Sequence, residues 1–179
     1  MKPVGHCRRW CILICLLLPL AACDSKGPPV ELKVSVGERF PALQLEDLQG
    51  KPLTLARQHD PLILNVWATW CPPCRKELPG LQRLQKRLQN EGVSVLGMAV
   101  EADAHVVREY LIDRGIEFTS YLDPQMRMAN QVLGVRLYPA TFIIDGKGVL
   151  RMIVEGERDW DDSAIADQVR QALDLHSGA

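Results

Sequence analysis

Beyond residue 23 this 179-residue chain contains only two cysteines, Cys71 and Cys74. That is too few for a disulfide framework, so the folded part has to stand on an apolar core. A structural zinc site would need a second pair of Cys or His ligands. None is supplied, since His59, His105 and His176 are scattered along the chain. An excess of positive charge is missing too. Residues 1–22 hold Lys2, Arg8 and Arg9 and no acid, which leaves 18 basic against 22 acidic residues in the remainder, a net of −4. Nothing in that balance suggests a nucleic-acid partner. Internal repeats and low-complexity segments are also lacking. The length fits one domain plus accessory segments.

What is present begins with Met1–Ala22, which reads as a signal peptide with a basic start and an apolar stretch, Trp10–Leu20. That stretch is too short to cross a hydrocarbon layer of about 30 Å comfortably. It closes in Leu20-Ala21-Ala22-Cys23, which resembles a bacterial lipobox. The resemblance implies that Cys23 is lipidated and becomes the new N-terminus; plain secretory cleavage nearby, with Cys23 a stray thiol, is the alternative. Asp24 resembles the signal that keeps lipoproteins on the inner membrane. Cys7, Cys11 and Cys15 would leave with the signal peptide. Residues 23–35 then read as a tether, whose dozen flexible residues span on the order of 20 Å, and residues 36–179 as the domain.

Hydrophobic patterning gives the order of elements. Phe40–Leu45 and Pro52–Leu55 flank Asp47-Leu48-Gln49-Gly50 as a β-hairpin. Leu62–Trp67 is nearly continuous apolar sequence, as a strand buried on both faces requires. From Cys74, Leu78, Leu81, Leu84 and Leu88 fall on one helical face until Gly92, with Pro79 inside. A strand is expected over Val93–Val100, a helix over Ala104–Arg114 with Val106, Val107, Tyr110 and Leu111 inward, and a strand over Glu117–Leu122. A helix over Pro124–Leu133 should follow, with Asp123 as N-cap and Gly134 as its stop. Strands at Thr141–Ile144 and Val149–Val154 flank an Asp145–Gly148 turn. A last helix spans Asp162–Leu175. The class is α/β, a mixed sheet flanked by helices.

The two cysteines stand in Trp70-Cys71-Pro72-Pro73-Cys74, where a buried strand meets a helix. With Tyr138-Pro139-Ala140-Thr141-Phe142 ahead of a later strand, the chain resembles the thioredoxin superfamily, and within it the TlpA/ResA-like (TlpA/DsbE-type) branch of exported thiol–disulfide oxidoreductases. The resemblance covers roughly Val36 to Leu175, including a strand–helix insertion between Gly115 and Gly134. It implies a thioredoxin fold preceded by a hairpin.

On this reading Cys71 is the nucleophile, because it lies nearest the helix N-terminus, and Cys74 resolves the mixed disulfide. The pair would cycle through a redox-active Cys71–Cys74 disulfide; a purely structural disulfide or half a metal site is the alternative. Pro72 and Pro73 lack N–H groups that could stabilise the Cys71 thiolate, which points to a reducing pair. Pro139 matches the superfamily's cis-proline. Together with Trp70, Pro72, Pro73 and Tyr138 it would shape the substrate groove, Tyr138 pairing with an extended partner strand. Trp67 and Trp160 read as packing residues, Arg75 and Lys76 as a solvated face. Asn65 stands where cytosolic thioredoxins carry a buried aspartate. TlpA/ResA-like proteins also tend to carry Asn there and some use a glutamate at the end of the following strand, so the resemblance implies Glu101, with Asp103 behind it, as the candidate proton acceptor, a partly buried carboxyl with raised pKa; a solvated loop acid is the alternative.

The resemblance further implies a monomer without cofactor or metal, anchored by lipid on the periplasmic face of the inner membrane. Protein thiols and disulfides would be its substrates, in thiol homeostasis or cytochrome c biogenesis, and a CcdA/DsbD-type membrane protein its electron donor. The chain lacks the longer acidic insertion expected of a dedicated cytochrome-maturation member. A peroxiredoxin would need Thr or Ser at Ala68, and a Sco-type copper chaperone needs Cys-x-x-x-Cys. A thioredoxin-like binding module without turnover would not need both thiols.

Overall fold

A computed structural model describes residues 32–56 and 59–175. The signal peptide, Cys23, the tether up to residue 31 and His176 lie outside the described residues. Within the described part, one seven-stranded sheet carries the fold. Its centre is β3, Leu62–Trp67, in which every residue is buried. Parallel to β3 runs β4, Ser94–Ala99, and antiparallel to it β6, Ala140–Ile144. The sheet continues outward through β5, Ser120–Leu122, and β7, Leu150–Glu155. A hairpin of β1, Leu43–Glu46, and β2, Pro52–Leu55, joins at the far edge through the pair Glu46–Leu122. The order is β2-β1-β5-β4-β3-β6-β7.

Helices flank this sheet. The longest is α1, Pro72–Leu88, whose Leu78, Leu81, Leu84 and Leu88 are fully buried, as the period of the sequence requires. A short 3-10 turn, Gln89–Glu91, finishes it, and Gly92 supplies the left-handed residue that ends the helix. α2, Ala104–Arg114, starts at an Asp103 cap and stops at Gly115 with φ 61°. α3, Ser163–Ala172, starts at Asp162. It is shorter than expected at its C-terminal end, where Leu173 leaves helical geometry.

Further details differ from the sequence reading. Leu32 and Val34, assigned to the tether, pack on the core, and the Lys33 N–H donates to the Leu133 carbonyl (2.9 Å). Val106, expected to face inward, is 43% exposed, and α2 packs on the core through Val107 and Leu111, with Ala104 and Tyr110 beside them. The segment expected as an α-helix from Pro124 is a π-helix over Arg127–Leu133. Met126 adopts a left-handed conformation (φ 52°), so residues 123–126 form a turn. Asp123 does not cap from the adjacent position; its carboxylate reaches across that turn to accept the Ala129 N–H at 2.8 Å. The strand expected from Glu117 begins at Ser120, since Glu117 and Phe118 donate their N–H groups to the Gln82 side chain on α1.

Where β4 meets β5, Gly97 is required by space. A Cβ there would collide with Ser120 Oγ and stand 2.8 Å from Trp67 Nε1. Gly97→Ala should therefore lower stability by about 1–3 kcal/mol in urea unfolding, the usual penalty of an overpacked core. Unchanged stability would show that the sheet yields freely at this point.

Candidate redox site

The site is assembled where β3 ends and α1 begins. Cys71 is the N-cap of α1 in extended conformation, and its sulfur accepts the Cys74 N–H at 3.3 Å. Pro72 and Pro73 occupy the first helical positions, where no N–H has an intrahelical role and a fixed φ suits the helix. Among the described residues the Cys74 N–H is thus the one hydrogen bond to the Cys71 sulfur, in line with the few donors expected there. The two cysteines form a disulfide with an S–S distance of 2.08 Å and Cα atoms 5.3 Å apart. Cys71 keeps 4% of its surface exposed and Cys74 none, so an attacking group can approach only the first sulfur.

Around this opening stand the residues that the sequence offered for a rim. Trp70 is 53% exposed and meets the Tyr138 ring edge-on, centroids 5.8 Å apart. The Tyr138 hydroxyl donates to Asn130 Oδ1 (3.0 Å), the Tyr138–Pro139 peptide is cis, and Pro139 is buried. Pro72 is exposed and Pro73 half-buried. Trp67 is fully buried against Tyr110, as a packing residue should be.

The structure adds a third carboxyl to the two that the sequence offered. Glu101, on the loop after β4, is half-buried, and its Oε1 accepts the Thr69 N–H at 2.8 Å and the Thr69 hydroxyl. It ties down the turn leading into Cys71. Asp103 is exposed and accepts the His105 N–H (2.8 Å) as the cap of α2. The carboxyl buried behind the cysteines is Glu77, 3% exposed and three residues after Cys74 on α1. Side chains at that spacing on a helix lie about 5–6 Å apart at Cβ.

Glu77 is held from three directions. Asn65 Nδ2 on β3 donates to its Oε1 at 2.7 Å and to Thr141 Oγ1 on β6 at 2.9 Å. The Arg158 N–H donates to Oε2 at 3.0 Å, and the Trp160 indole N–H to the same oxygen at 3.2 Å. Burial pushes the Glu77 carboxyl up to about 7, against the downward pull of these three donors. It can therefore take or give a proton near neutrality. Trp160 consequently does more than pack, and Asn65 is a donor to an acid rather than a neutral substitute for one. The signal was present in the sequence: Glu77 falls on the same helical face as Cys74, Leu81, Leu84 and Leu88, a charge in an apolar stripe. No group of three or more His, Cys, Asp or Glu positioned to hold a metal occurs among the described residues.

Residues 36–153 match the AhpC/TSA family. Among curated proteins, the chain is 37% identical over 125 residues to the thiol:disulfide interchange protein DsbE of Haemophilus influenzae, covering 68% of this chain and 67% of that one. It is 32% identical over 130 residues to the thiol-disulfide oxidoreductase ResA of Geobacillus thermodenitrificans, covering 72% and 74%. Among solved structures, a thiol:disulfide interchange protein of the thioredoxin family from Chlorobium tepidum aligns with a TM-score of 0.64 at 28% identity, over 78% of this chain and 98% of that one.

The buried acid makes stability depend on pH in a definite direction. Its ordinary value is 4.5 and its value in the fold is about 7, so the folded state binds the proton more tightly. The contribution is therefore present below pH 4.5 and is lost as pH rises through 7. Relative to Glu77→Gln, which does not titrate, the wild-type protein should lose about 3 kcal/mol of unfolding free energy across that interval, at 1.36 kcal/mol per pKa unit. Parallel pH–stability curves for the two proteins would contradict this.

Proposed function

The chain belongs to the AhpC/TSA family and is a thiol–disulfide oxidoreductase of the DsbE/ResA type, and from that premise we propose that it reduces protein disulfides while anchored by lipid at Cys23 to the periplasmic face of the inner membrane. The observation that carries the chemistry is the Cys71–Cys74 pair at the start of α1 with Glu77 one turn behind.

In the reduced protein, the Cys71 thiolate attacks one sulfur of a partner's disulfide. A mixed disulfide forms and the partner's second sulfur leaves as thiolate. The helix N-terminus and the Cys74 N–H stabilise the attacking sulfur. Glu77, as carboxylate, then takes the proton of Cys74. The Cys74 thiolate attacks the Cys71 sulfur, closing the intramolecular disulfide and releasing the partner's first sulfur. Two electrons pass to the partner; its thiolates take protons from solvent, and the proton from Cys74 rests on Glu77 until it is released. We assign the acceptor role to Glu77 rather than Glu101, whose Oε1 is occupied by Thr69.

Trp70, Pro72, Pro73, Tyr138 and Pro139 form the docking rim. In support, Trp70 is exposed, and the Tyr138 N–H and C=O have no backbone partner among the described residues, leaving an edge for an extended partner chain. Anchoring rests on the signal and lipobox pattern of residues 1–23; no helix among the described residues is long and apolar enough to cross a membrane. By the family resemblance, apocytochrome c and its maturation factors are substrates to test first, and a CcdA/DsbD-type membrane protein the donor. The protein acts as a monomer without cofactor.

Cys71→Ser should abolish insulin reduction, and Cys74→Ala should accumulate a mixed disulfide visible on non-reducing gels. Equilibration with a dithiol buffer should give a potential nearer the roughly −270 mV of thioredoxin than the roughly −120 mV of DsbA. A value above about −170 mV on that scale would overturn the reductant direction.

A further inference from the structure

The loop ahead of α3 leans on α1 along one stripe of that helix. Lys76 pairs with Glu157, the Arg83 guanidinium grips the Asp161 carboxylate through two bonds (2.8 and 2.6 Å), and Arg87 donates to the Trp160 carbonyl. Gly80 lets the loop come close: a Cβ there would lie 3.3 Å from the Trp160 Cβ. The loop in turn supplies two of the hydrogen bonds to Glu77, both on Oε2. Between loop and helix opens a cleft of about 230 Å³ that reaches Glu77 and has neither Cys71, Cys74, Trp70 nor Tyr138 in its lining. The two oxygens of the carboxyl are therefore managed separately. Oε1 is held by Asn65 within the sheet side of the site, and Oε2 by a surface loop beside a polar cleft.

We propose that the loop Glu157–Asp161 is the proton side of this active site: Trp160 is a positioning residue whose indole N–H fixes the Glu77 carboxylate, and the adjoining cleft is where Glu77 exchanges its proton with solvent while a partner covers Cys71. The inference rests on the reading of Glu77 as the acceptor of the Cys74 proton. Its physical logic is one of access. A docked protein seals the Trp70–Tyr138 mouth, so a proton left on Glu77 needs an exit that docking does not close, and the cleft is lined by none of the mouth residues. The charged groups facing Glu77 are Lys76 and Arg83 from α1 and Glu157, Arg158, Asp159 and Asp161 from the loop; β3 and β6 present only the neutral Asn65 and Thr141. Lys76 and Arg83 are each matched by a loop acid, Glu157 and Asp161. Burial and the nearby Glu157 charge favour the protonated form of Glu77, and the directed N–H groups of Arg158, Asn65 and Trp160 oppose them by favouring the carboxylate.

The test follows the single-turnover reduction of a disulfide peptide by the pre-reduced full chain across the acid and neutral pH range. Four proteins are compared: wild type, Glu77→Gln, Trp160→Phe, and Glu77→Gln with Trp160→Phe. Because Trp160 is buried, a further protein carries β-(3-benzothienyl)alanine at position 160, which replaces the indole N–H by sulfur at nearly constant shape. The wild-type profile should show an inflection that Glu77→Gln removes. Loss of the N–H at position 160 should move that inflection upward by about one to two units, the size of one hydrogen bond to a charged group. The double variant should match Glu77→Gln. An inflection unmoved in both position-160 proteins overturns the role of Trp160 while leaving that of Glu77 intact. A profile insensitive to Glu77→Gln overturns the acceptor reading, and this inference with it. A position-160 effect that persists in the Glu77→Gln background shows that Trp160 acts by another route and also overturns it.

Discussion

Burying a carboxyl in a protein interior is costly unless donors meet it, and the cost sets much of the local design here. Glu77 is met by an amide from β3, a main-chain N–H from the loop before α3 and the indole of Trp160. These three donors are not enough to make it an ordinary ionised acid, and burial wins by bringing it to about 7. The same contacts hold α1, the central strand and the loop in register. The structural tie is thus also the group to which we assign the proton transfer.

The helix that carries Glu77 also presents the cysteines, and its start is built for that. Cys71 caps the helix with its own sulfur, two prolines fill positions where a missing N–H is harmless, and the leucine stripe below anchors the helix to the sheet. Because Cys74 is fully buried and Cys71 is not, Cys71 is the sulfur that a partner can reach. The prolines that suit the helix start also leave the Cys71 sulfur with one donor, so the geometry and the proposed reducing poise rest on the same two residues.

Much of this was legible in the sequence, for identifiable reasons. β3 matches residue for residue because a strand buried on both faces must be a continuous apolar run. The leucines of α1, the Gly92 and Gly115 stops and the last antiparallel pair follow from periodicity and turn chemistry. The π-helix was not legible, because its start depends on Asp123 reaching across a turn to Ala129 and on a left-handed Met126, neither of which has a local pattern. At the site, Trp70, Tyr138 and the cis Pro139 stand as the motif implied. Glu77 does not stand out in the sequence, because a helical stripe is legible by its leucines and a glutamate in it looks like an interruption rather than a buried acid. Trp160 is legible by its bulk, whereas the hydrogen bond of its N–H to Glu77 depends on tertiary placement.

The account turns on Glu77 being half protonated near neutrality in the folded, oxidised protein. Infrared difference titration with isotope-labelled glutamate, assigned by Glu77→Gln, reads this directly. A protonated-carboxyl band that disappears with a midpoint near 7 is the expected result. A band already lost near the ordinary glutamate value of 4.5 would contradict the account.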